Sequence, residues 1–206
     1  MNAKKKMIFA IIMIILSTII VYCGYSIAVP LMQYNKEKNE ADNQVKDFLQ
    51  QIQEAPADGE EEVTSEYSFN GITMGVMTIN KIDMTAPIAI GVDEVTLKTH
   101  IGVYPEYDPI GTNGGNTVFA AHSAIYGYCA HCFFHRLSEM EPGDVIEITW
   151  KNKHTYKYQV YEVLMNEDPD RTDIFERIKG KEVITLVTCT NGNSEVRTFI
   201  HAERIE

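Results

Sequence analysis

Beyond Lys4, Lys5 and Lys6 the sequence has no cluster of basic residues, and 29 acids against 18 bases leave a formal charge of −11 over 206 residues. That absence removes the electrostatic reason to expect a nucleic-acid partner. Cysteine is scarce too. Cys23, Cys129, Cys132 and Cys189 are too few to build a disulfide scaffold in a chain this long. There is no internal repeat and no glycine period of the collagen kind. Nor is the chain poor in apolar residues: 45% are hydrophobic, which excludes a disordered polymer. What remains is one folded domain with appendages.

Charge divides the chain into three parts: +3 over residues 1–31, −7 over 32–66 and −7 over the last 140 residues. Residues 7–29 hold no charged side chain. A helix of that length covers about 34 Å, enough for a hydrocarbon core of roughly 30 Å. The three preceding lysines put the N-terminus in the cytoplasm and everything after Pro30 outside. A cleaved signal peptide, with Ser26-Ile27-Ala28 as its site, is the rival, but the apolar run exceeds a usual signal core. The expectation is therefore a cytoplasmic tip and transmembrane anchor over 1–31. Residues 32–66 read as an acidic extracellular stalk. Within it Val45, Phe48, Leu49 and Ile52 predict a short amphipathic helix over 33–54. Ala55-Pro56-Ala57-Asp58-Gly59 breaks it, and Glu60, Glu61 and Glu62 form a solvated run in a flexible spacer.

Residues 67–206 form the third part, rich in short β runs. Strands are predicted at 74–80, 88–90, 117–121, 145–150, 155–164, 183–190 and 196–205, the fifth with clear period-2 alternation. Short helices are predicted near 132–140 and 172–178, the latter capped by Thr172 or Asp173. Many short strands with few helices indicate a mostly β, closed or nearly closed barrel.

Cys189 ends the apolar run Val183-Ile184-Thr185-Leu186-Val187-Thr188, next to a turn that can present a thiol to a cleft. His122 similarly ends the run from Asn116 to Ala121, and Arg197 opens the last strand. Thiol, imidazole and guanidinium are the parts of a nucleophilic site: one attacks a carbonyl, one moves protons, one stabilises the oxyanion. No serine or lysine has a comparably placed set.

These segments resemble the sortases, cysteine transpeptidases of Gram-positive cell surfaces. Thr185-Leu186-Val187-Thr188-Cys189 is similar to the family's TLxTC signature. Gly115-Asn116-Thr117-Val118-Phe119-Ala120-Ala121-His122 resembles its histidine strand. Phe134-His135-Arg136-Leu137 with Glu141-Pro142-Gly143-Asp144 resembles its FxxL…xxGD segment, and Val196-Arg197-Thr198-Phe199-Ile200 its arginine strand. The resemblance covers about residues 74–206. It implies an eight-stranded barrel, with Cys189 as nucleophile, His122 as general acid and Arg197 as oxyanion group. Thr188, Ala121 and Ser123 are the implied substrate-binding positions, and residues 164–180 the loop roofing the groove. The implied substrate is an LPxTG-type sorting signal on a surface protein, cut between Thr and Gly. The acyl half then passes to an amine of a cell-wall precursor of the lipid II type, or to a pilin lysine. A single anchor with no apolar tail after Ile205 resembles the housekeeping class A more than the pilin-polymerising kind. No metal or cofactor is implied for the chemistry. Some sortases bind Ca²⁺ through loop acids, for which Glu106, Asp108, Glu167, Asp168, Asp170 and Asp173 are candidates.

Strand parity tests the assignment independently. Arg197 can serve Cys189 only if both side chains leave one face of the hairpin, and a regular two-residue Asn191-Gly192 turn would place them on opposite faces. An odd-length loop or a bulge is therefore expected, despite the attractive Asn-Gly signal.

Cys129-Ala130-His131-Cys132 stays open between free thiols, a local disulfide and metal binding. An exported thiol- or metal-binding protein using that pair is the rival function, and a non-catalytic binding barrel is another. Cys23 reads as a packing residue in the anchor. His100, His154 and His201 read as structural, with His201 sharing the face of Arg197.

Overall fold

A computed structural model describes residues 3–54, 72–124 and 129–206. The expected helix break at 55–59, the acidic run at 60–62 and the domain boundary at 67 lie outside the described residues. The chain divides into two compact units, residues 1–36 and 37–206. Helix α1 runs Ala3–Glu54 with Pro30 inside it. The helix expected from residue 33 is thus the last part of a longer one. No glycine interrupts the sequence between Gly24 and Gly59, and the intervening Lys, Glu, Gln and Leu residues are good helix formers. Among the described residues α1 is the one helix long and apolar enough to cross a membrane.

Within the second unit, residues 45–52 do not behave as a free spacer. Val45 and Phe48 are buried with Val76 of the barrel, and Ile52 packs beside them. Their i, i+3, i+7 spacing is the apolar stripe of a docked helix.

The barrel has eight strands: β1 (Gly75–Ile79), β2 (Met84–Ile90), β3 (Ile101–Val103), β4 (Asn116–Ala120), β5 (Val145–Trp150), β6 (Thr155–Glu167), β7 (Val183–Thr190) and β8 (Asn193–Arg204). It closes in the order β1-β2-β3-β4-β7-β8-β6-β5. Seven strands correspond to predicted runs, some with shifted ends. The three-residue β3 was not predicted, since Ile-Gly-Val is too short to show a period. Its Gly102 is required there because a Cβ would collide with the Gly91 carbonyl. The two predicted helices are single 3-10 turns at Leu137–Glu139 and Asp173–Phe175. A short helix, α2 (Glu94–Leu97), was not expected. Its cap is Asp93, whose Oδ1 accepts from the Val95 and Thr96 amides.

Inward-facing side chains fill the barrel, as eight strands require. Met77, Ile88, Ile101, Phe119, Ile148, Tyr158, Ile184, Leu186 and Ile200 belong to one buried cluster. A second cluster, built from Val118, Ala120, Val187 and Phe199, lies on the opposite face of β4, β7 and β8 and is covered by Ile174. That outer face carries the site.

Candidate active site

β4 and β7 are parallel neighbours, with Phe119 opposite Leu186 and Ala120 opposite Val187. Continuing that register by two residues brings His122 level with Cys189, on the same face as Ala120 and Val187. The backbone at this end of β4 is held by Ala121 N donating to Val187 O at 3.4 Å and Phe134 N donating to His122 O at 3.1 Å.

On the other side of β7, β8 runs antiparallel and sets Arg197 directly opposite Cys189. The hairpin tip nonetheless has a two-residue turn. Asn191 and Gly192 both take positive φ, 47° and 75°, and Thr190 faces Asn193. Between Thr190/Asn193 and Cys189/Arg197 the register shifts, with Ser194, Glu195 and Val196 unopposed. Three extra residues reverse the parity set by the turn. The expected bulge is present, beside the Asn-Gly turn and not in place of it. The bulge also frees a carbonyl: Ser194 O accepts from Arg197 Nη1 at 2.8 Å. Among the described residues no carboxylate pairs with Arg197, although Arg136, Arg171, Arg177 and Arg204 all have acidic partners.

Register thus sets Cys189 of β7 between Arg197 of β8 and His122, two residues past the end of β4. All are half-buried, and Cys189 is a free thiol. Burial holds the His122 imidazole below its ordinary pKa, the neighbouring His131 adds to this, and Glu94 pulls the other way.

Of the implied substrate-binding positions, Ser123 is half-buried just beyond His122. Thr188 and Ala121 point the other way. Thr188 is buried, its Oγ1 donating to Ala121 O at 2.7 Å, and Ala121 belongs to the barrel's inner cluster. Odd residues of β7 face out and even ones in, so Thr188 ties β7 to the end of β4. Its side chain does not line the groove.

Residues with no local sequence signal complete the outer face. Tyr104, Tyr107 and Phe175 pack ring against ring, at 5.9 Å between the tyrosines and 5.2 Å from Tyr107 to Phe175, and Phe175 meets Phe199 at 5.8 Å. Arg177 forks onto Asp108, Nε donating to Oδ2 at 2.8 Å, so the β6–β7 loop is clasped to the β3–β4 loop. Three of the six acids named as calcium candidates have guanidinium partners. Asp108 is taken by Arg177, while Glu167 and Asp173 both accept from Arg171 at 2.6 Å. Guanidinium groups already neutralise these carboxylates. Behind them a cavity of about 380 Å³ is lined by Tyr161, Glu162, Ile174 and His201, among others. His201 shares the face of Arg197, as expected, and bonds Glu162 Oε2 at 2.8 Å and Ile174 O at 3.1 Å.

Cys129 and Cys132 are joined by a disulfide, their Cα atoms 5.3 Å apart, which resolves the three readings of that segment. His131 between them lies with its ring edge-on to His122, centroids 5.8 Å apart.

Comparison with known proteins agrees with this architecture. Residues 77–205 match the sortase domain family. Sortase A of Streptococcus agalactiae serotype III (strain NEM316) is 27% identical over 138 residues, which cover 66% of this chain and 54% of that protein. The chain thus spans about half the length of that curated relative. Among solved structures, a sortase D5 transpeptidase of Clostridium perfringens superimposes with a TM-score of 0.67 at 23% identity, covering 82% of this chain and 99% of that one. A lid mutant of sortase A from Corynebacterium diphtheriae gives 0.59 at 23% identity, covering 80% and 93%. At these identities both structures speak to the fold.

Proposed function

The chain belongs to the sortase family, and from that membership we propose that it is a membrane-anchored cysteine transpeptidase acting on an LPxTG-type sorting signal. The observation that carries this reading is the strand register, which pairs Arg197 with Cys189 and, continued two residues beyond Ala120 and Val187, brings His122 level with Cys189. Cys189 passes its proton to His122, and its Sγ attacks the carbonyl carbon of the Thr–Gly bond. The oxygen gains negative charge, and the Arg197 guanidinium, which has no acidic partner among the described residues, stabilises it. His122 on the opposite side delivers its proton to the departing glycine amine. The C–N bond breaks and a thioester to Cys189 remains. An incoming amine attacks the thioester and gives its proton to His122, the C–S bond breaks, and His122 returns that proton to the departing sulfur, which restores the starting state.

The acceptor we infer is a cell-wall precursor amine, as in the housekeeping class, and the likeness to Sortase A supports that choice. Helix α1, apolar near the N-terminus and preceded by lysines, supports a single-pass anchor with the N-terminus in the cytoplasm and the barrel outside. Incubating the full chain in detergent with an LPxTG peptide, with and without a glycine-based amine, tests the reading by mass. The expected products are the Thr–Gly cleavage fragment and an amine adduct. Cleavage without adduct makes the protein a hydrolase, adduct formation only with a pilin lysine moves it to the pilin-polymerising kind, and no cleavage of any sorting peptide removes the enzyme.

A further inference from the structure

We propose that His131, held by the Cys129–Cys132 disulfide and by Glu37, is a positioning residue that walls the His122 imidazole and couples its protonation to its own charge. This rests on the reading of His122 as the proton-transfer group. The two rings meet edge to face, 5.8 Å between centroids and 76° between planes. A residue in a surface loop ordinarily lacks the rigidity to hold such a contact, but His131 is tied on every side. Cys129 and Cys132 flank it and are bonded to each other, so the loop cannot open around it. Glu37 of α1 stands with Oε2 3.5 Å from His131 Nδ1. Cys132 is buried, and two residues further on the Phe134 amide donates to the carbonyl of His122 itself, with the Phe134 side chain in the barrel core. The loop that carries His131 is therefore fastened to the residue its ring touches.

The charges facing His122 can be named. Glu94 approaches from α2, already paired with Lys98; His131 approaches from the disulfide loop; Cys189 stands beside it on β7, with Arg197 beyond on β8. Of these groups only His131 is in ring contact with His122. When protonated it disfavours a second positive charge on His122, while Glu94 favours one. The same segment also brings Cys129, His131 and Cys132 close enough to suggest a metal site. In the disulfide neither sulfur is a thiolate, so the loop serves the neighbouring histidine instead.

The test is an NMR titration of the His122 ring, using ¹³C-labelled histidine in the full chain in detergent, for wild type, His131→Gln, His131→Lys and the double variant Cys129→Ser/Cys132→Ser. Removing the charge in His131→Gln is expected to move the His122 midpoint up by about 0.5 pH unit. The permanent cation of His131→Lys should move it down, the two variants lying about 0.5–1 pH unit apart, the size expected for one unit charge about 6 Å away in a wet cleft. The double serine variant should follow the glutamine variant, because the ring is no longer held against His122. Opposite shifts for Gln and Lys cannot come from lost packing alone. A His122 midpoint that stays put in both His131 variants while the barrel remains folded overturns the inference. If the midpoints shift as expected but no form cleaves a sorting peptide, the coupling stands and the transpeptidase reading falls.

Discussion

Strands β4, β7 and β8 show two faces made of the same backbone and put to different uses. Inward, Phe119, Leu186 and Ile200 are fully buried, and the polar residues among them satisfy each other: Thr188 bonds the Ala121 carbonyl and Thr190 bonds Thr198 at 2.9 Å. Outward, three residues along from Phe119, Leu186 and Ile200, stand His122, Cys189 and Arg197, half-buried and, for Arg197, without an acidic partner among the described residues. The inner face answers to packing and can be broken only at the cost of stability. The outer face holds polar groups whose needs a substrate would meet. Alternation lets a single strand serve both, provided that its register is right, and the Ser194–Glu195–Val196 bulge is where the hairpin secures that register.

Substitutions on the two faces should separate stability from activity. Cys189→Ala is expected to lower transpeptidation by at least about 10³-fold while leaving the urea midpoint near wild type. Leu186→Ala, three positions away but facing in, should do the converse, costing about 3 kcal/mol in urea unfolding. Equal stability losses for the two would abolish the distinction. Arg197→Lys keeps the charge and loses the planar fork; a drop of about 10²-fold in kcat/KM with unchanged stability is expected. Thr188→Val probes the boundary. Leaving the buried Ala121 carbonyl without its donor should cost about 1–2 kcal/mol, and kcat/KM should stay within a few-fold of wild type. A loss of activity as large as that of Arg197→Lys, without destabilisation, would return Thr188 to the groove. The smallest effect belongs to Arg177→Ala, which unclasps the β6–β7 loop from Asp108: KM for the sorting peptide should rise a few-fold, with no resolvable change in the unfolding midpoint.

Much of the inner face was legible in the sequence, because seven of the eight strands have runs long enough to show their apolar character. The strand β3 was not, at three residues with glycine in the middle. Cys189, His122 and Arg197 were legible as candidates because each sits at a strand end beside a turn, and because TLVTC and its companion segments resemble one family. Thr188, implied by the family resemblance as a groove residue, faces the side opposite to Cys189, its Oγ1 donating to the Ala121 carbonyl. The arginine partners of the acids at 108, 167 and 173 were not visible in the sequence. Arg177 lies 69 residues from Asp108, and Arg171 stood among the acids without showing which of them it would hold. The disulfide at 129 and 132 could not be told from free thiols, since spacing allows the bond without directing the two side chains toward each other.

Sequence by itself determined the division into an apolar N-terminal segment and a β-rich domain, the alternation along each strand, and the parity condition that required a bulge. These depend on the order of residues along the chain, through the periods of helix and strand. Only the tertiary structure decided that residues 45–52 dock on the barrel, that His131 lies against His122, and that arginines occupy the loop carboxylates. The docked helix and the Asp108–Arg177 pair join segments far apart in sequence, while His131 and Arg171 meet near neighbours in directions that no local pattern fixes. Their energies depend on distance and direction in space, which closure of the barrel sets and no local pattern records.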